Sequence, residues 1–403
     1  MPIKQQSYCF LLVAFFVLSL ALSSCSKDTA SKERKPIVEQ GDITSQLKLL
    51  GNPLKTKYND NTPRVYARNV WDMHAYNGKI YFGGGNSSNA APAANAGKAE
   101  LWSFDVTSQN FIKEFTVDDE QIHLIREFDN QLYIPGHDAS ESWDFGNFYR
   151  LENSIWKKYR TIPNAIHVYD IYKWGNRLFA SIGPQKTSRS IMVSDDGGNT
   201  WYNSYCTYTT VNGDIKEVAF QSRIYNIFPL SNKLYALPMV YSGSGNAFTW
   251  LTGNNPLYAG EKGATRIERS VVFDNQTAYI LGKTYNDHQY LPVALCRAKD
   301  SQNVSRIALA EGVLPRDILL KEGYLVVLVS KLNPDNTYSN MVLLTSDISS
   351  EFVEWKELFR FTAGTFARSF EYLNGVFYFG LGCETEEPLS PETGNILSFE
   401  YSL

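Results

Sequence analysis

Short apolar segments alternate with turn residues along most of this chain. Residues Tyr76–Gly85 show the unit: an apolar strand end, the pair Asn77-Gly78, and a second apolar stretch, Ile80-Tyr81-Phe82, that closes on glycines. An Asn-Gly pair supplies the positive φ angles that a two-residue β-hairpin requires. The pattern therefore predicts an antiparallel hairpin over these residues.

The same unit recurs along the chain. Each of seven turn pairs follows an apolar segment and precedes another one rich in Tyr, Phe, Leu and Val, and successive pairs lie 43 to 56 residues apart. A period near 50 that holds several short strands is typical of β-propeller blades. The turn pairs are Asn77-Gly78, Asp129-Asn130, Gly175-Asn176, Ser231-Asn232, Asp274-Asn275, Glu322-Gly323 and Asn374-Gly375.

Most repeats continue with a third and a fourth apolar segment, so we predict an all-β, seven-bladed propeller of four-stranded antiparallel blades. The fourth strands of repeats four and five are poorly marked, which leaves counts of six and eight blades open. The last repeat stops after its third strand, and an open sheet edge invites aggregation. We therefore expect residues within Ile43–Leu54 to supply the missing outer strand and close a single propeller domain, 43–403.

The N-terminus has the pattern of a targeting segment. Lys4 precedes an apolar run over Phe10–Ala21, and Leu22-Ser23-Ser24-Cys25 resembles a bacterial lipobox. This resemblance implies a lipoprotein signal peptide over 1–24, lipid on Cys25 and a polar tether over 25–42. The Ser-Lys-Asp sequence after Cys25 is similar to that of surface lipoproteins of the Bacteroidota. This similarity implies an envelope protein anchored in the outer membrane, with orientation toward the periplasm or the outer surface left open. The alternative is an ordinary secretory signal with an incidental cysteine.

Composition narrows the classes of function. The formal net charge of −4 does not suggest a nucleic-acid surface, which needs a basic patch. Besides Cys25, the predicted mature chain keeps Cys206, Cys296 and Cys383, an odd number for disulfide pairing. Cys296 follows an apolar run and is expected to be a buried thiol. No Cys/His metal spacing is present, and we predict no cofactor and no metal, although two histidines with carboxylates would also suit one.

One segment matches a named motif. Residues Ser194-Asp195-Asp196-Gly197-Gly198-Asn199-Thr200-Trp201 resemble the Asp-box of BNR-type repeats at every fixed position. The resemblance implies a hairpin between the third and fourth strands of a blade, on the face away from an active site. Sialidases carry such boxes, but so do propellers without catalysis, and a fold marker is not a site. Overall the pattern resembles secreted bacterial seven-bladed propellers.

The long connections indicate where function lies. Turns between first and second strands are uniformly two residues, whereas connections between second and third strands (the B–C connections) are long and varied. Long loops on a rigid scaffold collect binding residues. Counting back five to eight residues from each turn places polar side chains at the channel mouth on the B–C face, among them arginines in four repeats.

Convergent arginines suit a carboxylate or a sulfate. The candidate ligand-binding residues are Trp71, Asp72, Asp138, Trp143, Asp170, Arg223, Arg266, Arg316 and Arg368. Histidine and tyrosine near a bound uronate would suit proton abstraction. The candidate catalytic residues are His123, His137, His167, Tyr169 and Tyr225. The competing interpretation is structural, because charged residues at strand starts also pair between blades.

Three functions follow from these features. The leading hypothesis is a lipid-anchored module that binds an extracellular ligand, expected to be a glycan, on the B–C face. The alternative is a carbohydrate-active enzyme, a polysaccharide lyase or a glycosidase acting on an acidic glycan. A further alternative is a protein-interaction scaffold in an outer-membrane complex, with unknown protein partners.

Overall fold

The computed structural model describes residues 37–403 apart from 61–63, 90, 94, 185–189, 210–211, 213, 219–222, 238, 242–246, 251–255, 262–265, 286–288, 346–353 and 386–387. Residues 37–403 form one compact unit. The predicted signal peptide, Cys25 and the first part of the predicted tether lie outside the described residues. Within the described ranges, no helix has the length and apolar character needed to cross a membrane.

The regular secondary structure of the described chain is almost entirely β-strand, in seven repeats that follow an N-terminal strand, β1 (Lys48–Gly51). The first repeat contains β2 (Met73–Tyr76), β3 (Lys79–Gly83), β4 (Glu100–Asp105) and β5 (Asn110–Thr116). The second contains β6 (Asp119–Gln121), β7 (Arg126–Phe128), β8 (Gln131–Pro135), β9 (His137–Ala139), β10 (Phe145–Glu152) and β11 (Ile155–Pro163). The third contains β12 (Ala165–Trp174), β13 (Arg177–Pro184), β14 (Ile191–Ser194) and β15 (Tyr202–Asn203).

The later repeats follow the same order. The fourth contains β16 (Tyr205–Thr209), β17 (Ile215–Val218), β18 (Phe228–Leu230), β19 (Lys233–Ala236), β20 (Met239–Tyr241) and β21 (Ala247–Trp250). The fifth contains β22 (Arg266–Phe273), β23 (Gln276–Tyr285), β24 (Gln289–Ala298) and β25 (Val304–Ile307). The sixth and seventh contain β26 (Leu314–Lys321), β27 (Tyr324–Leu332), β28 (Tyr338–Thr345), β29 (Lys356–Ala363), β30 (Ala367–Leu373), β31 (Val376–Leu381) and β32 (Ile396–Glu400). Short 3₁₀ helices occupy Thr44–Gln46, Pro53–Thr56, Arg64–Arg68 and Pro256–Tyr258.

These strands build a β-propeller of four-stranded antiparallel blades. Among the described residues, six sheets have four strands. The fourth repeat differs from the prediction, because β18–β21 continue into β16 and β17 to make a six-stranded sheet. In that sheet β16 runs parallel to β21, whereas the other pairs are antiparallel. The structure thus has six four-stranded blades where the sequence predicts seven.

The two ends of the described chain meet in the last sheet. Strand β1 pairs antiparallel with β32, with Lys48 opposite Ser398 and Leu49 opposite Leu397. The chain contacts the sixth repeat before the predicted domain boundary at residue 43, since the Gln40 amide donates to the Leu358 carbonyl. Part of the segment predicted as tether therefore lies against the propeller.

The core lies between neighbouring sheets. Phe82 of the first repeat packs with Tyr378 of the seventh in one buried cluster, and Leu101 packs with Leu132 of the second repeat in another. The fourth repeat is joined to the third and to the fifth by similar clusters. Cys206, Cys296 and Cys383 are buried, and none forms a disulfide. For Cys296, fully buried between the fourth and fifth repeats, this agrees with the expectation of an apolar thiol.

The predicted hairpin turns have the required backbone geometry. The first residue of each of the seven pairs has a positive φ, for example 48° at Asn77 and 53° at Asn374. The segment 194–201 also forms a tight turn, between β14 and β15. There the Asp196 carboxylate accepts hydrogen bonds from the Asn199 and Thr200 amides, at 3.1 and 2.9 Å. The Trp201 indole donates to the Gly198 carbonyl at 3.0 Å.

Candidate functional site

One residue from each repeat meets around the central channel. The sixth residue before each hairpin turn lines a single cavity, whose roughly 780 Å³ of non-atom space includes open solvent at its mouth. We call these residues the mouth ring. They are Trp71, His123, Tyr169, Tyr225, Glu268, Arg316 and Arg368. The constant spacing from the turns shows that a regular feature of the first strand places them.

A β-bulge is that feature in four repeats. The pairing register shifts around Tyr169, Glu268, Arg316 and Arg368, so each has no single partner on the next strand. A bulge adds one residue to a strand and re-aims a side chain. In the first, second and fourth repeats the mouth-ring residue instead precedes the inner strand.

The next residue of each repeat forms a second layer, one step nearer the hairpin turns. We call it the floor ring. It comprises Asp72, Leu124, Asp170, Asn226, Arg269, Asp317 and Ser369. All of its members are buried except Arg269, whose side chain is 15% exposed. The floor ring is therefore a packed layer beneath the mouth ring.

The floor-ring aspartates join adjacent repeats. Asp72 accepts hydrogen bonds from the Met73 amide at 3.0 Å and from the Ile125 amide of the next repeat at 2.7 Å. Asp317 does the same with the Ile318 and Phe370 amides, at 2.8 and 3.1 Å. These contacts satisfy buried backbone donors that would otherwise be costly. These hydrogen bonds account for the presence of buried aspartates in the floor ring without a bound ligand.

Asp170 repeats the arrangement with an added ion pair. It accepts from the Ile227 amide of the next repeat at 2.8 Å, and Arg126 donates to both of its carboxylate oxygens at 3.1 and 2.7 Å. Burial raises the pKa of Asp170, while the nearby Arg126 and the backbone amides oppose that shift. Asp170 thus connects the second, third and fourth repeats.

Arg269 crosses the channel within this layer. Its guanidinium donates to the Trp71 carbonyl at 2.6 Å and lies 3.3 Å from the Asp72 carboxylate. On the other side it lies 3.4 Å from Asp317. Because Arg269 belongs to the fifth repeat and Trp71 to the first, its side chain spans the axis. The cavity therefore has a floor on its hairpin-turn side.

The wall of the cavity holds its arginines against aromatic rings. The Arg266 guanidinium lies 4.8 Å from the Tyr225 ring centroid, Arg316 lies 3.6 Å from Phe366, and Arg368 lies 4.4 Å from Trp71. Such stacking leaves the N–H edges of a guanidinium available in its plane. Trp71 also donates its indole N–H to the Gly85 carbonyl at 2.9 Å, which fixes its ring.

Polar partners fix the same arginines further. Arg266 pairs with Glu268, and Arg368 pairs with Glu384. The Arg316 Nε donates to the Ser330 hydroxyl at 2.7 Å. The side chains lining the cavity include four arginines and one carboxylate, that of Glu268. The wall is therefore rich in fixed hydrogen-bond donors.

All five predicted catalytic residues lie in one ring-to-ring cluster. The His123 and His137 ring centroids are 4.3 Å apart, and His137 lies 5.1 Å from Tyr169. Tyr169 in turn stacks on His167 at 5.2 Å and contacts Tyr225 at 4.7 Å. The spacing of these residues in the sequence does not predict that their rings touch, so their grouping is a finding of the structure.

The protonation of this cluster follows from its surroundings. The His123 Nε2 lies 2.7 Å from the Tyr169 carbonyl, which requires the proton on Nε2 and leaves a lone pair on Nδ1. Burial, with the positive charge of Arg269, lowers the pKa of His123 to about 3. Burial also raises the pKa of the Tyr169 hydroxyl. At neutral pH the cluster thus offers a neutral imidazole and a protonated phenol.

Part of the long connection of the second repeat, predicted as loop, forms a two-stranded sheet. Gln121 of β6 pairs with His137 of β9. Asp138 follows with φ at +73°, and its carboxylate lies 3.5 Å from the His167 Nδ1. Burial and the neighbouring carboxylates of Glu120 and Asp119 raise the pKa of Asp138 to about 7. This small sheet brings His137 and Asp138 beside the mouth ring.

The predicted ligand-binding residues separate into three groups. Trp71, Arg266, Arg316 and Arg368 line the cavity, whereas Asp72 and Asp170 lie in the floor ring with backbone amides as partners. Arg223 is exposed, and its positive charge partly opposes the rise in the pKa of Asp138. Trp143 is 48% exposed on a loop held from the outer strand, where Arg160 donates to the Ser142 carbonyl at 2.8 Å. Trp143 does not line the cavity.

Three residues of the site carry no signal that identified them in the sequence. Phe366 supplies the ring beneath Arg316, Glu384 pairs with Arg368, and Arg126 pairs with Asp170. Arg269 and Glu268 lie at the counted spacing, which places them at the channel mouth, although the list of candidate ligand-binding residues takes only Arg266 from this repeat. For these two, the distance from the hairpin turn is a usable signal. For the other three, only the folded arrangement reveals the contact.

The comparisons concern the fold. No family model matches the chain, and no curated protein matches it. A chain of the Mitotic Checkpoint Complex crystal structure aligns over 100% of both chains with 10% identity and a TM-score of 0.49. An ancestral GH74 enzyme aligns over 80% of this chain and 46% of that one, with 10% identity and a TM-score of 0.44.

A third likeness is to the propeller domain of the Trilobed protease from Pyrococcus furiosus. It covers 70% of this chain and 78% of that chain, with 12% identity and a TM-score of 0.37. Such distant likenesses do not extend to activity or ligand.

Among the described residues, no group of three His, Cys, Asp or Glu side chains is placed to hold a metal ion.

Proposed function

We propose that this protein binds an acidic ligand, an acidic glycan in particular, at the mouth ring on the B–C face. The observation that carries the proposal is the lining of the cavity, where four arginines of the wall and floor and one carboxylate surround a single opening. Planar guanidinium groups recognise carboxylate and sulfate by paired hydrogen bonds. Stacking on Tyr225, Phe366 and Trp71 holds these groups in place before a ligand arrives, which lowers the entropic cost of binding.

Binding to soluble glycans tests the proposal. Polygalacturonate, alginate, hyaluronan and chondroitin sulfate are the acidic probes, and dextran is the neutral control. We expect at least one acidic polymer to bind and dextran not to bind, by isothermal titration calorimetry. Lack of binding to all four acidic polymers contradicts the proposal.

Arg316→Lys tests the site itself. Lysine keeps the charge but loses the planar donor fork and its stack on Phe366, so we expect about a tenfold loss of affinity, or ~1.4 kcal/mol. Arg306→Lys is the matched control, because Arg306 lies on the outer strand β25 and its partner there is Glu261. Equal losses in both variants would place the ligand elsewhere.

A second candidate function is a β-eliminating lyase on a uronate glycan. It is favoured by the contact of His123, His137, His167, Tyr169 and Tyr225 in one cluster beside the arginines. A histidine would take the proton next to the carboxylate, a carbon–carbon double bond would form, and the glycosidic oxygen would leave with a proton from Tyr169. Unsaturated products absorb in the ultraviolet. Activity unchanged in the triple His→Ala variant would exclude this mechanism.

The location of the protein is a separate proposal that rests on the lipobox resemblance. We propose that lipid on Cys25 anchors the propeller in the bacterial outer membrane. Metabolic labelling with a fatty-acid analogue should mark the wild type and not Cys25→Ser. Co-purification of other envelope proteins from detergent extracts would favour the interaction scaffold, whereas isolation of the protein alone would count against it.

We also propose that the six-stranded sheet of the fourth repeat is the seventh blade. Its strands β18–β21 are packed between the third and fifth repeats, and Tyr225 and Asn226 occupy the same positions before the turn as their counterparts. The Ser194–Trp201 turn supports the Asp-box resemblance in the preceding blade. An experimental structure with these four strands outside the ring would refute the blade count.

A further inference from the structure

The floor ring restricts how a ligand can enter the cavity. Its aspartates are hydrogen-bonded to backbone amides of neighbouring repeats, and all its members but one are buried. A linear polymer therefore has no path through the channel toward the hairpin turns.

Arg269 lies at the bottom of the cavity and contributes most to closing it. Its contacts reach Asp317 of the neighbouring sixth repeat and the Trp71 carbonyl and Asp72 of the first repeat, so the guanidinium bridges three repeats. It lies one residue nearer the turns than Glu268, which lines the wall. A ligand that enters from the B–C face meets this cation at the bottom.

The wall closes the cavity laterally as well. Mouth-ring side chains come from every repeat, and Arg368 stacks on Trp71 where the seventh repeat meets the first. The cavity is thus a blind pocket lined by side chains all round. An open groove of the kind that accepts internal segments of a polymer would need a gap in this ring.

We infer that the pocket receives its ligand end-on and recognises a terminal acidic sugar, or a free acidic monosaccharide, rather than an internal segment of a chain. This inference rests on the proposed function. The carboxylate of the terminal unit meets the arginines of the wall and floor, and the rest of the chain leaves through the mouth. The Tyr169 hydroxyl, buried and without a hydrogen-bond partner among the described residues, gives the lower wall a polar group for the sugar hydroxyls.

Chain length separates end-on binding from groove binding. The same four acidic polymers are each fractionated into short and long chains, and the number of protein molecules bound per chain is measured by calorimetry and analytical ultracentrifugation. We expect one protein per recognised chain end at every length, so that the binding capacity per gram of polymer is inversely proportional to chain length. A number of bound proteins that grows with chain length would overturn the inference while leaving the proposed function intact.

Competition by the monosaccharide gives a second measurement. Free galacturonate or glucuronate should displace the whole of the bound polymer, because both would compete for the same arginines, whereas glucose should not. Displacement only by longer oligosaccharides would contradict the inference. If none of the four polymers and neither acid binds, the proposed function itself fails, and the inference fails with it.

Discussion

The mouth ring and the floor ring are adjacent in sequence but differ in chemistry. Mouth-ring residues such as His123 and Arg316 contact other side chains around a cavity, whereas floor-ring residues such as Asp72 and Asp317 contact backbone amides of the next repeat. One layer holds the repeats together, and the other presents functional groups. A shift of one residue along the first strand thus separates a structural role from a binding role.

The largest expected effect is the loss of a floor-ring aspartate. Asp170→Ala removes the acceptor of the Ile227 amide and leaves the partly buried Arg126 without its ion-pair partner, so we expect a loss of about 3 kcal/mol in the free energy of unfolding. Urea denaturation measures it. Asp144→Ala is the control, since Asp144 is exposed. A loss as small as that of the control would remove the structural role assigned to this layer.

The sequence separates the two layers only in part. The apolar period and the turn pairs predict the propeller, and the count of five to eight residues back from the turn includes each mouth-ring position, among them Tyr169 and Arg368. Nothing in the local sequence distinguishes Asp170, which joins repeats, from Asp138, which lies beside His167. That distinction depends on the bulges and on side chains from other repeats, such as Arg126.

The fourth repeat shows a second limit. Its turn pair, Ser231-Asn232, predicts the hairpin β18–β19, but the preceding segments β16 and β17 join the same sheet through a parallel pair. Antiparallel hairpins are specified locally, whereas a parallel pair joins segments distant in sequence. Likewise, the pairing of β6 with β9 within the second repeat depends on a connection that reads only as a loop.

Opposite pH dependences should distinguish the rings. In the floor ring, burial raises the pKa of Asp317 to about 7, so the folded state retains a proton that the unfolded state has lost. Its contribution to stability therefore decreases as the pH rises from about 4 to about 7. In the mouth ring, the pKa of His123 is lowered to about 3, so its contribution increases as the pH rises from about 3 to about 6.5.

Variants reveal these two slopes. The stability of Asp317→Asn relative to wild type should increase as the pH rises from about 4 to about 7. The stability of His123→Gln relative to wild type should decrease as the pH rises from about 3 to about 6.5, and each change should be about 1–2 kcal/mol. Thermal unfolding followed by circular dichroism at matched ionic strength gives both difference curves. If the two difference curves sloped in the same direction with pH, the two layers would not differ in the pH dependence of their contribution to stability.

The smallest expected effect concerns the outer part of the B–C face. Trp143 is exposed at the loop that Arg160 holds and does not line the cavity, so Trp143→Ala should change the free energy of unfolding by less than ~0.5 kcal/mol. If the pocket binds a single terminal sugar, the Trp143→Ala variant should bind a free acidic monosaccharide with the affinity of wild type. The Arg316→Lys variant should bind the same monosaccharide more weakly. A selective loss of affinity for longer oligosaccharides would show that the chain leaving the mouth passes over this tryptophan. A loss of affinity for the monosaccharide itself would move the binding site from the mouth ring to the outer loop.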